Sequence, residues 1–287
     1  IYKVNKEYDS AVLNYAKAGT LNPFEEKYGQ AIIAIAQEMA NNGDIEYRRQ
    51  EFDSAIEYYK NAIEYAPTYT TAIFKLARTY FKIKDYENTK LFLEQNLAVD
   101  PNQEQSEKML GDIYRKMGDT DSAVQHYNKA VLINANYSKA HYSLGTILLS
   151  NRKLEEARKS LNTAVMIDTN YVKAYGALGK VEQDIGNLDI AIDHYTKAIE
   201  IEPSLYDVHY RLASVYNIKK QYEDAKISAK NCLRVKRNYA PAFFELGVSE
   251  KALGNKIAAT DAFENAKKDR NWRKSAQFEL DMLSKGL

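Results

Sequence analysis

The sequence predicts an all-α fold, an α-α superhelix: a solenoid of seven full 34-residue repeats, with a partial repeat before them and a capping helix after them. Three observations predict it. A Gly or Ala recurs every 34 residues, at Gly43, Ala77, Gly111, Gly145, Gly179, Ala213 and Gly247, with no residue inserted or lost. Apolar residues inside each period fall at helical spacing. Turn signals separate those runs at fixed places. A fixed period of this length means one two-helix unit copied end to end, each copy burying its apolar face against its neighbours. Such an array presents surface to a partner and encloses no single active site.

The elements follow in chain order. Tyr8-Asp9-Ser10-Ala11, Tyr15, Ala18 and Pro23 match the second half of a unit, so residues 1–23 read as a partial repeat with Ile1 inside its first helix. The native protein is expected to continue before Ile1. Pro23 to Pro67 is ten residues longer than one period, and Phe24 to Gln50 is rich in helix formers, so residues 24–67 read as a first full repeat with an extended first helix. Residues 68–273 read as regular repeats and 274–287 as the capping helix, the whole forming one domain.

With positions counted from seven residues before the small one, the units start at Ala36, Thr70, Glu104, Ser138, Val172, Tyr206 and Ala240. Position 7 is Leu in all but the first, where it is Asn42. The first helix carries apolar residues at positions 4, 7, 8 and 11. Gly within a helix costs about 1 kcal/mol relative to Ala, so its recurrence at position 8 implies a neighbouring helix too close for a larger side chain. Lys116-Met117-Gly118-Asp119, Asp184-Ile185-Gly186-Asn187 and Ala252-Leu253-Gly254-Asn255 mark the turn, with Gly ending one helix and Asp or Asn opening the next. The second helix is apolar at 17, 20, 24 and 27: position 20 is mostly Ala, position 24 mostly large (Tyr59, Leu93, Tyr127, Leu161, Tyr195, Phe263) and position 27 mostly Ala. Pro67, Pro101 and Pro203 at position 32 stop it.

These columns resemble the tetratricopeptide repeat family: Leu-Gly at 7 and 8, Ala at 20, an aromatic at 24, Ala at 27 and Pro at 32. Thr89 and Asn96 depart from Ala; Ala135, Thr169, Arg237 and Asn271 depart from Pro; no unit has the family's Trp at position 4. The resemblance implies antiparallel helix pairs stacked into a right-handed superhelix with a concave groove.

Composition suits a soluble helical array, with 28% charged residues and a formal net charge of +1, and no apolar run reaches the roughly 18 residues of a membrane span. One cysteine, Cys232, excludes an internal disulfide framework. It stands where other units have Ala, as a buried thiol would. His126 and His141 lie 15 apart, and His194 and His209 repeat that spacing two units on; the repetition reads as duplicated scaffold rather than a metal or acid-base site. Neither a phosphate-binding glycine loop nor a nucleophile elbow is present. The chain reads as a non-enzyme without metal or cofactor. Most of its 23 tyrosines recur in core columns.

In the family, positions 2, 5, 6, 9, 12 and 13 of the first helix face the groove. Here they hold twelve cations, Arg48, Lys75, Arg78, Lys82, Lys108, Arg115, Lys116, Lys139, Lys173, Lys180, Arg211 and Lys251, against Asp44, Asp112, Asp184, Asp207 and Glu245. That surplus of seven contrasts with the near-neutral whole chain. Tyr47, Phe74, Phe81, Tyr142, Tyr210 and Phe244 interleave with them. The pattern predicts a groove that takes an acidic or amphipathic peptide or helical segment of a protein partner. The family's clamp for chaperone tails is not matched: the nearest set is Lys108 and Asp112, then Ser143, then Lys173 and Ala177. A sequence pI near 7.8 argues against nucleic acid. Two alternatives come from other classes: an architectural spacer or a segment self-associating through its ends, and an accessory segment of an enzyme whose catalytic domain lies elsewhere.

Overall fold

The computed structural model describes residues 2–21 and 26–286, so Ile1, Pro23 and Phe24 lie outside the described residues. Sixteen α-helices and no strand are found among them. The chain divides into two compact units, Ile1–Ala135 and Asn136–Leu287.

The first unit holds α1 (Tyr2–Leu21), α2 (Lys27–Arg48), α3 (Phe52–Tyr65), α4 (Thr70–Lys82), α5 (Tyr86–Val99), α6 (Glu104–Met117) and α7 (Thr120–Ile133). Successive helices pair as α2 with α3, α4 with α5 and α6 with α7, and each pair also packs on the next. α1 runs unbroken through the segment read from sequence as the junction of two helices, since Asn5-Lys6-Glu7 carries no Gly or Pro to interrupt it. The Tyr65 hydroxyl donates to Asp9 Oδ1 at 2.7 Å, tying α3 back to α1. α2 spans 22 residues, against 13 in α4 and 14 in α6.

The second unit holds α8 (Ser138–Ser150), α9 (Leu154–Ile167), α10 (Val172–Ile185), α11 (Leu188–Ile201), α12 (Tyr206–Ile218), α13 (Tyr222–Val235), α14 (Ala240–Ala252), α15 (Lys256–Lys267) and α16 (Arg273–Ser284). α16 packs on α15, burying Ala276 and Leu283 beside Phe263 and Ala266.

Why position 8 is small is now plain. A methyl group built on Gly43, Gly111, Gly179 or Gly247 would stand 2.5–2.6 Å from ring carbons of Tyr59, Tyr127, Tyr195 or Phe263, all fully buried. At Gly145 it would meet Leu161 Cγ at 2.5 Å. The large residue of the second helix therefore rests on the bare backbone of the first. Dense packing of this kind leaves no slack for an added methyl.

The turn after the first helix has one conformation with or without glycine. Gly118, Gly186 and Gly254 have φ of 83, 100 and 80°, and Gln50, Lys84, Arg152 and Lys220, at the same position 15, take 61–66°. Asp85 and Asp119 then cap the next helix through backbone N–H groups of Asn88 and Ser122, at 3.1 and 3.0 Å. Asn187 and Asn255, read from sequence as openers of their helices, make no such cap. Their amides donate instead to the buried carboxylates of Glu182 and Glu250, at 2.8 and 2.6 Å. Second helices also stop at the same place without proline: α7, α9 and α13 end at Ile133, Ile167 and Val235, and the following backbone N–H still bonds four residues back.

Candidate functional site

Within each unit the first helices approach one another across repeats: α2 meets α4 in the first, and α8 meets α10, α10 meets α12 and α12 meets α14 in the second. The residues singled out from sequence stand on the first helices α2, α4, α6, α8, α10, α12 and α14. On the first unit these are Tyr47, Phe74, Lys75, Arg78, Phe81, Lys82, Lys108, Arg115 and Lys116. On the second they are Lys139, Tyr142, Lys173, Lys180, Tyr210, Arg211 and Phe244.

The first unit's face is organised around an acid. Asp44 on α2 receives the Lys75 ammonium at 2.7 Å and the Tyr59 hydroxyl at 2.7 Å. Burial works to raise the Asp44 carboxyl, but hydrogen bonds from Lys75 and Tyr59 and the charges of Lys75 and Arg78 outweigh it and hold the group below the usual carboxylate range. The same arrangement recurs on α6, where Asp112 accepts from Lys108 at 2.6 Å and from the Tyr127 hydroxyl at 2.8 Å. Lys75 and Lys108 are thus held by the protein's own carboxylates. Arg48, Arg78, Lys82, Arg115 and Lys116 carry no ion pair among the described residues. Arg78 lies over the Tyr47 ring at 4.9 Å and its buried Nε has no hydrogen-bond partner. Asp44, Tyr47, Arg48, Lys75 and Arg78 line an open cavity of about 430 Å³, three cations against one carboxylate. Phe74 and Phe81 are half-buried and pack on the cluster of Ala77, Leu93, Leu110 and Ile113, and Lys116 lies over the Phe81 ring at 5.8 Å.

On the second unit's face, Lys180 is tied to Asp184, which also accepts from Arg152 at 3.2 Å. The Tyr195 hydroxyl donates to Gln183 Oε1 at 3.0 Å, and Arg211 makes no ion pair among the described residues. Lys139 and Lys173 are exposed and make no ion pair among the described residues. Tyr142 sits 5.0 Å from Tyr171, and Tyr210 sits 5.7 Å from Tyr239. Phe244 lies between Phe263, at 5.5 Å, and Trp272, at 4.9 Å. The aromatic half of the expected site is therefore partly committed to packing.

Two charges assigned to this face from sequence are placed otherwise. Lys251 is held at 3.0 Å by Glu279 of α16, and Glu245 is buried, accepting from the Asn217 amide at 2.8 Å. Burial raises the Glu245 carboxyl against the pull of Asn217 and Ser214. The spacing of four between Lys108 and Asp112, and between Lys180 and Asp184, was a visible signal for two of the ties. The Lys75–Asp44 and Lys251–Glu279 pairs join different helices and leave no local trace.

Three of the four histidines and the cysteine sit in structural surroundings. His126 Nδ1 lies 2.6 Å from Glu107 Oε2 and its ring stacks on Tyr114 at 5.1 Å. His209 Nε2 donates to the Pro203 carbonyl at 2.9 Å, while His194 rests against Tyr175. Cys232 is fully buried, and burial pushes its thiol up to about 12, which keeps it protonated and unreactive. No helix among the described residues is long and apolar enough to cross a membrane.

Comparison with known proteins agrees with this architecture. Models described as TPR repeat and tetratricopeptide repeat match residues 43–84 and 111–151, residues 138–171 and 172–205, and residues 194–227. Among solved structures, YrrB, a TPR protein with an unusual peptide-binding site, is 21% identical over 64% of this chain and 95% of its own, with a TM-score of 0.57. PilW, a widely conserved type IV pilus biogenesis factor, is 20% identical over 74% and 98%, at 0.62. The C-terminal part of a TPR repeat-containing protein from Cytophaga hutchinsonii is 16% identical over 84% and 99%, at 0.65. At these identities the likeness is one of fold. With its Gly-on-aromatic packing and its run of matched repeats, the chain belongs to the tetratricopeptide repeat family.

Proposed function

We propose that this chain is a non-catalytic interaction scaffold whose first-helix face, in residues 1–135, holds an acidic or amphipathic segment of a protein partner. The observation that carries the reading is a set of five cations without ion pairs among the described residues: Arg48 and Arg78 line the cavity, Lys82, Arg115 and Lys116 stand on the first helices α4 and α6, and the buried Arg78 Nε has no acceptor. A buried donor without an acceptor is costly, and a carboxylate from outside would supply one. Lys75 and Lys108, bound to Asp44 and Asp112, stiffen the face rather than contact the partner directly. The peptide-binding site of YrrB supports the reading at the level of fold only.

Binding of a fluorescent Asp/Glu-rich peptide to the 287-residue chain, followed by anisotropy, tests it. Affinity should fall as salt rises through the range where the Debye length shrinks from about 10 to 3 Å. Arg78→Glu with Arg115→Glu should weaken binding at least about tenfold, the equivalent of 1.4 kcal/mol. Unchanged affinity in the double variant would remove this face from consideration. Light scattering at several concentrations reads self-association in the same samples.

A further inference from the structure

Not every helical glycine in this chain is explained by packing. At each position-8 glycine a methyl group would strike a buried ring or, at Gly145, the buried Leu161; at Gly176, inside α10, it would meet only Val208 Cγ2 at an ordinary 3.6 Å. Gly176 is also at position 5 of its unit, where five others carry Phe74, Lys108, Tyr142, Tyr210 and Phe244 and the first carries Ala40. A glycine in a helix interior is unfavourable unless something needs the room. The room is there: α8, α10 and α12 enclose a recess of about 250 Å³ over Gly176 and Ala177, walled by Leu149, Val172, Leu205 and Val208.

Its rim is charged. Lys173, Lys180 and Arg211 stand around it against one lining carboxylate, Asp207. Lys180 is tied to Asp184, whereas Lys173, which is exposed, and Arg211 make no ion pair among the described residues. The volume lies below the roughly 300–1,000 Å³ of small-molecule sites and suits a single side chain. An apolar floor under a cationic rim is the complement of an apolar residue flanked by carboxylates.

We infer that the recess over Gly176 takes one aliphatic or aromatic side chain of a polypeptide, whose neighbouring Asp or Glu residues reach Lys173 and Arg211. This rests on the reading of the partner as an acidic segment. It adds a second contact point, in residues 136–287, and names what fills it.

The test uses acidic decapeptides of Asp, Glu and Gly that differ only at a central residue, Leu, Phe or Ser, with the full chain. The Leu and Phe peptides should bind at least about tenfold more tightly than the Ser peptide, in line with the 10- to 200-fold discrimination apolar pockets achieve. Gly176→Leu should abolish that preference and leave the Ser peptide's affinity unchanged, while Gly176→Ala should keep most of it. A photoreactive leucine at the central position of the peptide reads the same point in the unaltered protein: cross-links should fall on α8, α10 or α12. If acidic peptides bind but ignore the central residue, or cross-link elsewhere, the recess is not the anchor site and only this inference falls. If no acidic peptide binds, the proposed function falls and takes the inference with it. Self-association abolished by Gly176→Leu would make a second copy the occupant and overturn the assignment to a partner.

Discussion

Replacing Gly247 by Ala tests the contact on which the whole repeat depends. Two effects oppose each other. Ala gains about 1 kcal/mol of helix propensity over Gly. Its methyl, however, would lie 2.6 Å from both Cδ1 and Cε1 of Phe263 and 2.8 Å from Cζ. Phe263 is fully buried and its ring already meets Phe244 at 5.5 Å, so it has nowhere to swing. Overpacking of this sort costs about 1–3 kcal/mol. Three atoms inside 3.0 Å place the cost near the top of that range, for a net loss of about 1–2 kcal/mol. Phe263→Leu alone should cost about 1–2 kcal/mol through the space it leaves. The double variant reproduces the Ala77 and Leu93 combination found in the second repeat, so the two changes should offset each other, with a coupling energy of about 1–3 kcal/mol. Urea unfolding followed by Trp272 fluorescence reads this locally, because the sole tryptophan lies 4.9 Å from Phe244. With a slope of about 2 kcal/mol/M, Gly247→Ala should lower the midpoint by about 0.5–1 M. A raised midpoint, or additive single and double variants, would refute the packing argument.

Two further outcomes are expected. Lys220 holds φ at 62°, the conformation Gly186 takes at the same repeat position, so Lys220→Gly should stabilise the chain by up to about 1 kcal/mol and Gly186→Ala should destabilise it by about as much; urea midpoints read both. Glu245 is raised by burial, so its protonated form favours the folded state: that contribution is present below the unfolded value near 4.5 and is lost as pH rises through the folded value. Glu245→Gln should therefore be more stable than the parent at neutral pH, with the difference closing at acid pH in thermal melts.

The candidate site was legible by residue type and column more than by geometry. Reading positions 2, 5, 6, 9, 12 and 13 gathered the candidate side chains by column, yet it could not separate Lys75, bound to Asp44 from the preceding repeat, from Lys173, which has no ion pair among the described residues. It weighed Glu245 as a groove charge, whereas tertiary packing buries it against Asn217. Gly176 was not singled out from sequence, because a missing side chain in column 5 signals a pocket only when the walls around it are known.

Sequence alone determined the repeat, its two helices and the small-against-large pairing, because a period of 34 residues and spacings of three and four are local properties written in every copy. Lys84 and Lys220 show the limit of that legibility even within a repeat: they adopt the glycine turn because the flanking helices impose it, not because their own preference asks for it. Tertiary structure alone decided which charges neutralise one another and where the first-helix face opens. Those outcomes depend on distances between side chains about 30 residues apart, set by how one helix pair seats on the next, and no single repeat contains them.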